Sequence, residues 1–291
     1  MMPGAMRLRL LQLDAFADRL FAGNPAAVCP LPAAGARAGW LEDATLQAIA
    51  RENNLSETAF LLRRDPAAGA PADYAIRWFT PVAEVELCGH ATLASAAVVL
   101  DVLEPGRRAV TFHSQSGPLP VERAPGGEAG AFRMDFPRWA PAPCDVPPAL
   151  GEALSEALGA WPRGVLRSGA TLIAVLDGED DVAALAPDFG RLRALPYEAV
   201  IVTARAAPGD QGIDFVSRFF APAQGIDEDP VTGSAHCSLA PYWGARLKKT
   251  RLRARQRSAR GGTLLCELIG DRVFLEGGVV PYLDGTIELA D

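Results

Sequence analysis

Asp229-Pro230-Val231-Thr232-Gly233-Ser234-Ala235 joins an alternating run, residues 215–220, to a largely apolar one, residues 236–243. Ala221, Pro222 and Gly225 break the first run, so strand, sharp turn and buried helix is the local order predicted. A turn of small residues opening a helix leaves backbone N–H groups unpaired, with the helix dipole behind them. That is a ready anion site, and Asp229 would sit at its rim. A second stretch, Leu87-Cys88-Gly89-His90-Ala91-Thr92-Leu93-Ala94, has the same grammar. Residues 90–100 are apolar on nearly every side apart from Thr92 and Ser95. A helix hydrophobic all round is buried all round, and a sheet or barrel wrapped about it is the natural solution. The two halves therefore share one plan, and the expectation is two domains of one fold whose turns face each other across a cleft.

Working outward from the turns, residues 8–14 read as an opening strand, and Gly23-Asn24-Pro25 is a strong turn signal before the apolar residues 26–29. Leu41, Ala44, Ala48 and Ile49 have the spacing of one helix face, and Asn53-Asn54 ends that helix. Residues 56–62 and 75–79 are strands, and 67–72 a small-residue loop. Residues 122–131, rich in glycine, are the candidate linker, which divides the chain into 6–124 and 131–291, with the last strands free to pack on the first half. In the second half, residues 149–159 read as a surface helix, 172–176 and 199–203 as short strands, and 282–291 as a short tail. Pro241 falls inside the second buried helix, where a proline should kink or end it. Arg251, Arg253, Arg255 and Arg257 alternate with Leu252 and Ala254, a strand with one solvated basic face.

A chain of 291 residues, 49% hydrophobic and 22% charged, is an ordinary globular composition for one large or two medium domains. Its formal charge of -7 argues against a nucleic-acid partner, and neither G-x-G-x-x-G nor a P-loop lysine accompanies the glycine turns. Five widely spaced cysteines form neither a disulfide framework nor a zinc motif, and a reducing cytoplasm fits them best. Three histidines are too few and too scattered for a metal cage, so no metal is expected. No run approaches the ~20 apolar residues that span a bilayer. Met1, Met2 and Met6 are competing starts, and the first five residues are expected to be a disordered extension.

Asn53-Asn54-Leu55-Ser56-Glu57-Thr58, Leu87-Cys88-Gly89-His90-Ala91-Thr92 and Glu228-Asp229-Pro230-Val231-Thr232-Gly233-Ser234-Ala235-His236 together resemble the phenazine-biosynthesis PhzF-like family. The resemblance extends to Leu13-Asp14-Ala15-Phe16, Phe21-Ala22-Gly23-Asn24-Pro25-Ala26-Ala27-Val28, Ser217-Arg218-Phe219-Phe220-Ala221-Pro222 and Arg260-Gly261-Gly262. It covers nearly the whole chain. It implies an α+β, diaminopimelate-epimerase-like fold, in which two similar domains each wrap a mixed β-sheet or barrel around a central buried α-helix. It also implies a homodimer, no cofactor, and a small carboxylate substrate. The best-described activity of that family isomerises a dihydro-hydroxyanthranilate by moving a proton between ring carbons. The acid/base of that reaction corresponds to Glu57. The other active-site positions correspond to His90, Asp229 and Ser234, with Ser56, Gly89 and Gly233 in the substrate-binding turns.

Each of these residues has a plainer reading. Glu57 could be a solvated edge residue. Beside Ala59, Phe60, Leu61 and Leu62, however, its carboxylate would be desolvated toward the working range of a proton shuttle. His90 could cap its helix, or as a neutral imidazole, its protonation disfavoured by the dipole, donate to a substrate oxygen. Asp229, extended ahead of Pro230, could cap the turn, hold a substrate amine or hydroxyl, or pair with His90. Ser234 could bond its own backbone or, with Gly233, receive a carboxylate. Cys88 stands where a two-thiol epimerase of this fold carries a base. The matching place in the second half holds Asp229, and Cys237 lies further on, so Cys88 is expected to be an inert buried thiol. The expected function is a cofactor-independent isomerase moving a proton within a small cyclic or amino carboxylic acid. The alternatives are an epimerase or racemase of an amino or hydroxy acid, and a non-catalytic binder of small ligands.

Overall fold

The computed structural model describes residues 6–32, 39–64, 73–126, 130–144, 146–210 and 212–289. The loop expected at 67–72, the first five residues and part of the expected linker lie outside them. The chain divides into two compact units, Met1–Asp135 with Glu276–Asp291, and Phe136–Leu275.

The first unit opens with strands β1 (Met6–Ala15) and β2 (Asn24–Pro30), helix α1 (Asp43–Asn53), and strands β3 (Glu57–Arg63), β4 (Tyr74–Phe79) and β5 (Glu84–Val85). Helix α2 (Gly89–Ala97), β6 (Ala109–Ser114), β7 (Gly117–Arg123) and β8 (Ala131–Pro137) follow. β1 pairs antiparallel with β2, β2 parallel with β3, β3 antiparallel with β4, and β4 parallel with β6. β6, β7 and β8 continue antiparallel. The last strand of the chain, β17 (Arg272–Leu289), pairs with both β1 and β8, which closes the ring into a barrel. The Val279 N–H donates to the Gly130 carbonyl at 3.0 Å in that closure.

Side chains alternate across these strands. Cys29, Phe60 and Phe79 turn outward and pack with Leu46, Ile49 and Ala50 of α1, and Asn54 ends α1 in the left-handed conformation with φ 50°. The opposite face meets α2, whose residues from His90 onward are all buried, as the all-round hydrophobicity requires. Past Ala97 the helix widens into an i→i+5 turn, with the Glu104 N–H on the Val99 carbonyl.

The second unit comprises β9 (Ala142–Pro143), α3 (Pro148–Leu158), β10 (Gly164–Ser168), β11 (Thr171–Val175), α4 (Glu179–Ala184), α5 (Phe189–Arg193), β12 (Ala199–Arg205) and β13 (Phe215–Ala221). Then come β14 (Ile226–Asp229), helix α6 (Gly233–Leu247), β15 (Arg251–Gln256) and β16 (Gly262–Ile269). β11 and β12 run parallel, as do β13 and β15. Leu172, Ala174, Val200 and Val202 face an outer layer built from Leu154, Leu158, Val182 and Leu192 of α3–α5. On the other face Thr203 accepts the Trp243 indole N–H at 3.0 Å, and Trp243 stacks on Phe215, so α6 lies against the sheet. The fold is thus α+β, a mixed sheet about a central helix in each unit.

Several expectations need correction. The expected linker is no domain boundary where it is described: Glu122 and Arg123 end β7 and pair with Arg133 and Phe132 of β8. Residues 282–289 are not a tail but the end of β17, held along β1 from Gln12 to Met6. Helix α6 runs through Pro241. The carbonyl freed by the missing proline N–H is that of Cys237, and the Trp139 backbone N–H binds it at 3.2 Å. Strand β10 and the short helices α4 and α5 carried no periodic signal. Along β15, Arg251 and Arg253 are exposed and Arg255 pairs with Asp210 at 2.8 Å, so the basic face is solvated and partly neutralised. Among the described residues no helix is long and apolar enough to cross a membrane.

Candidate active site

The first unit gathers its chemistry at the N-terminus of α2. Glu57 is the first residue of β3, which lies between β2 and β4 and is not an edge. It shares a strand face with Ala59 and Leu61, and it is paired in register with Ala26. The same parity on β2 turns Asn24, Ala26 and Val28 to that face. Glu57 and Asn24 therefore both look toward α2. The Glu57 side chain is 12% exposed and that of His90 5% exposed, which replaces the solvated-edge reading of Glu57 with a nearly buried carboxylate.

One imidazole joins these groups. His90 Nε2 lies 3.1 Å from Glu57 Oε2, yet neither atom has an aligned hydrogen-bond partner. We read the contact as a charge interaction in which both atoms keep hydrogen-bonding capacity for a third group. On the other ring nitrogen, Nδ1 is met by Asn24 Nδ2 at 3.1 Å and by Cys88 Sγ at 3.5 Å. Burial works against a charge on His90, but Cys88 and Glu57 raise its pKa well above the usual range. This corrects the expectation of an imidazole kept neutral by the helix dipole: a carboxylate at contact distance outweighs partial charges spread over a helix turn. The Cys88 thiol, pushed up to about 11 by burial first and by Glu57 next, keeps its proton.

Glu57, Cys88 and His90 place three donor atoms within 4.8 Å of one another. The thiol and the carboxylate nevertheless stand at opposite nitrogens of the ring. Burial keeps the Cys88 thiol protonated, whereas a metal-bound cysteine is a thiolate, so the cluster suits proton transfer better than coordination. Ser56 and Gly89 flank the cluster in sequence and are partly exposed.

The second unit builds its own turn. Asp229 ends β14, buried, and its carboxylate accepts a short hydrogen bond from the Thr232 hydroxyl. Gln256, wholly buried, accepts the Thr232 N–H at 2.9 Å and donates to the Asp229 carbonyl at 2.7 Å. Thr232 precedes α6 in extended conformation but does not cap it, because its hydroxyl is engaged with Asp229 and Gln256. The α6 N-terminus, with Gly233 and the half-buried Ser234, thus begins without a side-chain cap. One turn on, His236 bonds the Thr232 carbonyl through Nδ1 at 2.8 Å, and burial lowers its pKa to about 4. Sequence reasoning missed Asn24, read only as part of a turn, and Gln256. Neither carries a local signal of its role.

The architecture is that of the diaminopimelate-epimerase-like fold. The family model for "Phenazine biosynthesis-like protein" matches residues 13–285, and the chain belongs to that PhzF family, whose named enzymes make it an isomerase. It is 51% identical to an uncharacterised isomerase of Pseudomonas aeruginosa, over 98% of this chain and 100% of that protein. A PhzF-family structure from Enterococcus faecalis superposes with a TM-score of 0.86 at 42% identity, covering 98% of this chain and 100% of that one. A predicted epimerase from Pseudomonas aeruginosa, at 24% identity and TM-score 0.72 over 98% and 99% of the two chains, shares the fold.

Proposed function

We propose that this isomerase moves a proton within a small cyclic or amino carboxylic acid by acid/base catalysis, with Glu57 as the group that carries the proton. The observation that supports this most is the nearly buried Glu57 carboxylate 3.1 Å from His90 Nε2, both atoms with hydrogen-bonding capacity left over. A carboxylate takes the proton from an acidified C–H, and the imidazole N–H steadies the oxygen on which charge develops. In this reading Asp229, set by Thr232 and Gln256, positions the substrate. Gly233, Ser234, Ser56 and Gly89 are the substrate-binding positions of this reading. An oxyanion contact such as that of the imidazole N–H is typically worth about 3 kcal/mol. The reaction needs no cofactor in this account. A homodimer and a cytoplasmic setting complete it, the latter in keeping with five free cysteines.

Solvent-deuterium wash-in, screened over a panel of cyclic and amino carboxylic acids, tests the proposal and finds the substrate. Glu57→Gln should keep the fold and lower exchange by at least about 100-fold; near-normal exchange by that variant would sink the idea. A second reading, epimerisation with Cys88 as a base, is favoured by its 3.5 Å approach to Nδ1 and opposed by its protonated thiol. Inversion at a stereocentre, lost in Cys88→Ala, would establish it.

A further inference from the structure

His90 cannot change its charge without a partner at Nδ1 that changes with it. Nε2 faces Glu57, so the second proton of the ring enters and leaves at Nδ1. That atom lies in a fully buried setting where a proton with no acceptor, or a lone pair with no donor, costs about 1–3 kcal/mol. Asn24 stands there, itself 0% exposed, with its amide 3.1 Å from Nδ1. An amide is the one neutral side-chain group that offers a donor or an acceptor from the same place: its nitrogen serves the bare Nδ1, and a half-turn brings its oxygen to the protonated one. Its backbone is fixed to match. Gly23, with φ +67°, has no room for a Cβ, which would fall 2.2 Å from the Ala15 carbonyl oxygen. Asn24 itself is locked into β2, opposite Ala15.

We propose that Asn24 is a positioning residue that holds His90 in line with Glu57 and partners both charge states of the ring, its amide nitrogen facing the neutral imidazole and its oxygen the charged one. On the isomerase reading above, this lets His90 steady an anion as imidazolium and release it as imidazole without leaving a buried atom unpaired. It also keeps Cys88, the longer of the two contacts, from becoming the proton partner of Nδ1. Other elements packed on α2 bring further titratable groups. β1 carries Asp14, whose carboxylate accepts the Phe21 N–H, β3 carries Glu57, and β7 carries Glu122 and Arg123, while Cys29 of β2 faces away toward α1. Of the side chains about the ring, Cys88 and Glu57 are those that raise its affinity for a proton.

The test is the titration of His90, followed by ¹⁵N resonances in histidine-labelled protein, in the full-length chain and two variants. Asn24→Asp offers only an acceptor, and should move the His90 midpoint up by about one pH unit or more. Asn24→Leu offers neither partner, and because an unpaired N–H of the charged ring costs more than a bare nitrogen of the neutral one, the midpoint should fall by a similar amount. Should the leucine variant not fold, Asn24→Ala removes the same two partners and carries the same expectation. Shifts of opposite sign support the proposal. Unchanged midpoints in folded variants overturn it, and so do shifts of the same sign, which would report altered burial alone. None of these measurements needs a substrate, so their failure would leave the isomerase reading standing, and the deuterium screen tests that reading by itself.

Discussion

At Glu57 the chemistry depends on a strand position as much as on a residue type. The same carboxylate two residues earlier would lie in the turn before β3, away from the face that meets α2. His236 offers a cleaner test of burial, because its ring is wholly enclosed between α6 and Phe215. Its folded pKa of about 4 lies below the ordinary 6.5. Between those values the unfolded chain binds a proton that the folded one refuses. The stabilising contribution is therefore complete above pH 6.5, falls as pH drops toward 4, and loses nothing further below it. The slope is about 1.4 kcal/mol per pH unit. His236→Phe, which keeps the ring packing, should flatten the fall of Tm between pH 6.5 and 4. Parallel Tm curves for the two proteins would refute the account. Cys88 shows burial acting the other way on an acid: expected to be an inert buried thiol, it is kept protonated by its enclosure.

Among the elements, β17 is the most demanding. Where it passes the β1–β2 loop, a Cβ on Gly278 would sit 2.4 Å from the Ala17 carbonyl oxygen, and one on Gly277 2.3 Å from the Phe16 ring. Neither neighbour can withdraw, since Ala17 also donates its N–H to the Gly278 carbonyl at 3.1 Å. Gly278→Ala should therefore cost about 2 kcal/mol or more, read as a lowered urea midpoint. Gly285→Ala, whose Cβ meets only a leucine methyl at 3.4 Å, should be nearly neutral. Equal effects at the two sites would show that close approach is not the reason for glycine at 278. Helix α6 makes the complementary point. Proline rules read from sequence end that helix, but Trp139, about a hundred residues earlier, supplies the missing donor.

For the molecule as a whole, closure of the first barrel is the feature a linear reading handles worst. The strand that seals it belongs to the last residues of the chain, which pair with the first. A chain ending at Leu275 would leave β1 and β8 with open edges and the apolar faces around Leu8, Leu11 and Leu13 uncovered. We expect such a chain to lose its cooperative thermal transition in the first unit. A near-native circular dichroism spectrum and an unchanged melt would contradict this. The two buried helices, the glycine turns before them and most strands were legible in the sequence, because periodicity and turn chemistry act over a few residues, while Glu57, His90, Asp229 and Ser234 were singled out by the family resemblance. What the linear chain does not express is which groups meet. Asn24 and His90 are 66 residues apart, Gln256 and Thr232 24 apart, and Glu57 of a neighbouring strand joins Cys88 in raising the pKa of His90. Such contacts depend on strand register and on the loss of solvent around them, and both come into being only when the barrel closes on its helix.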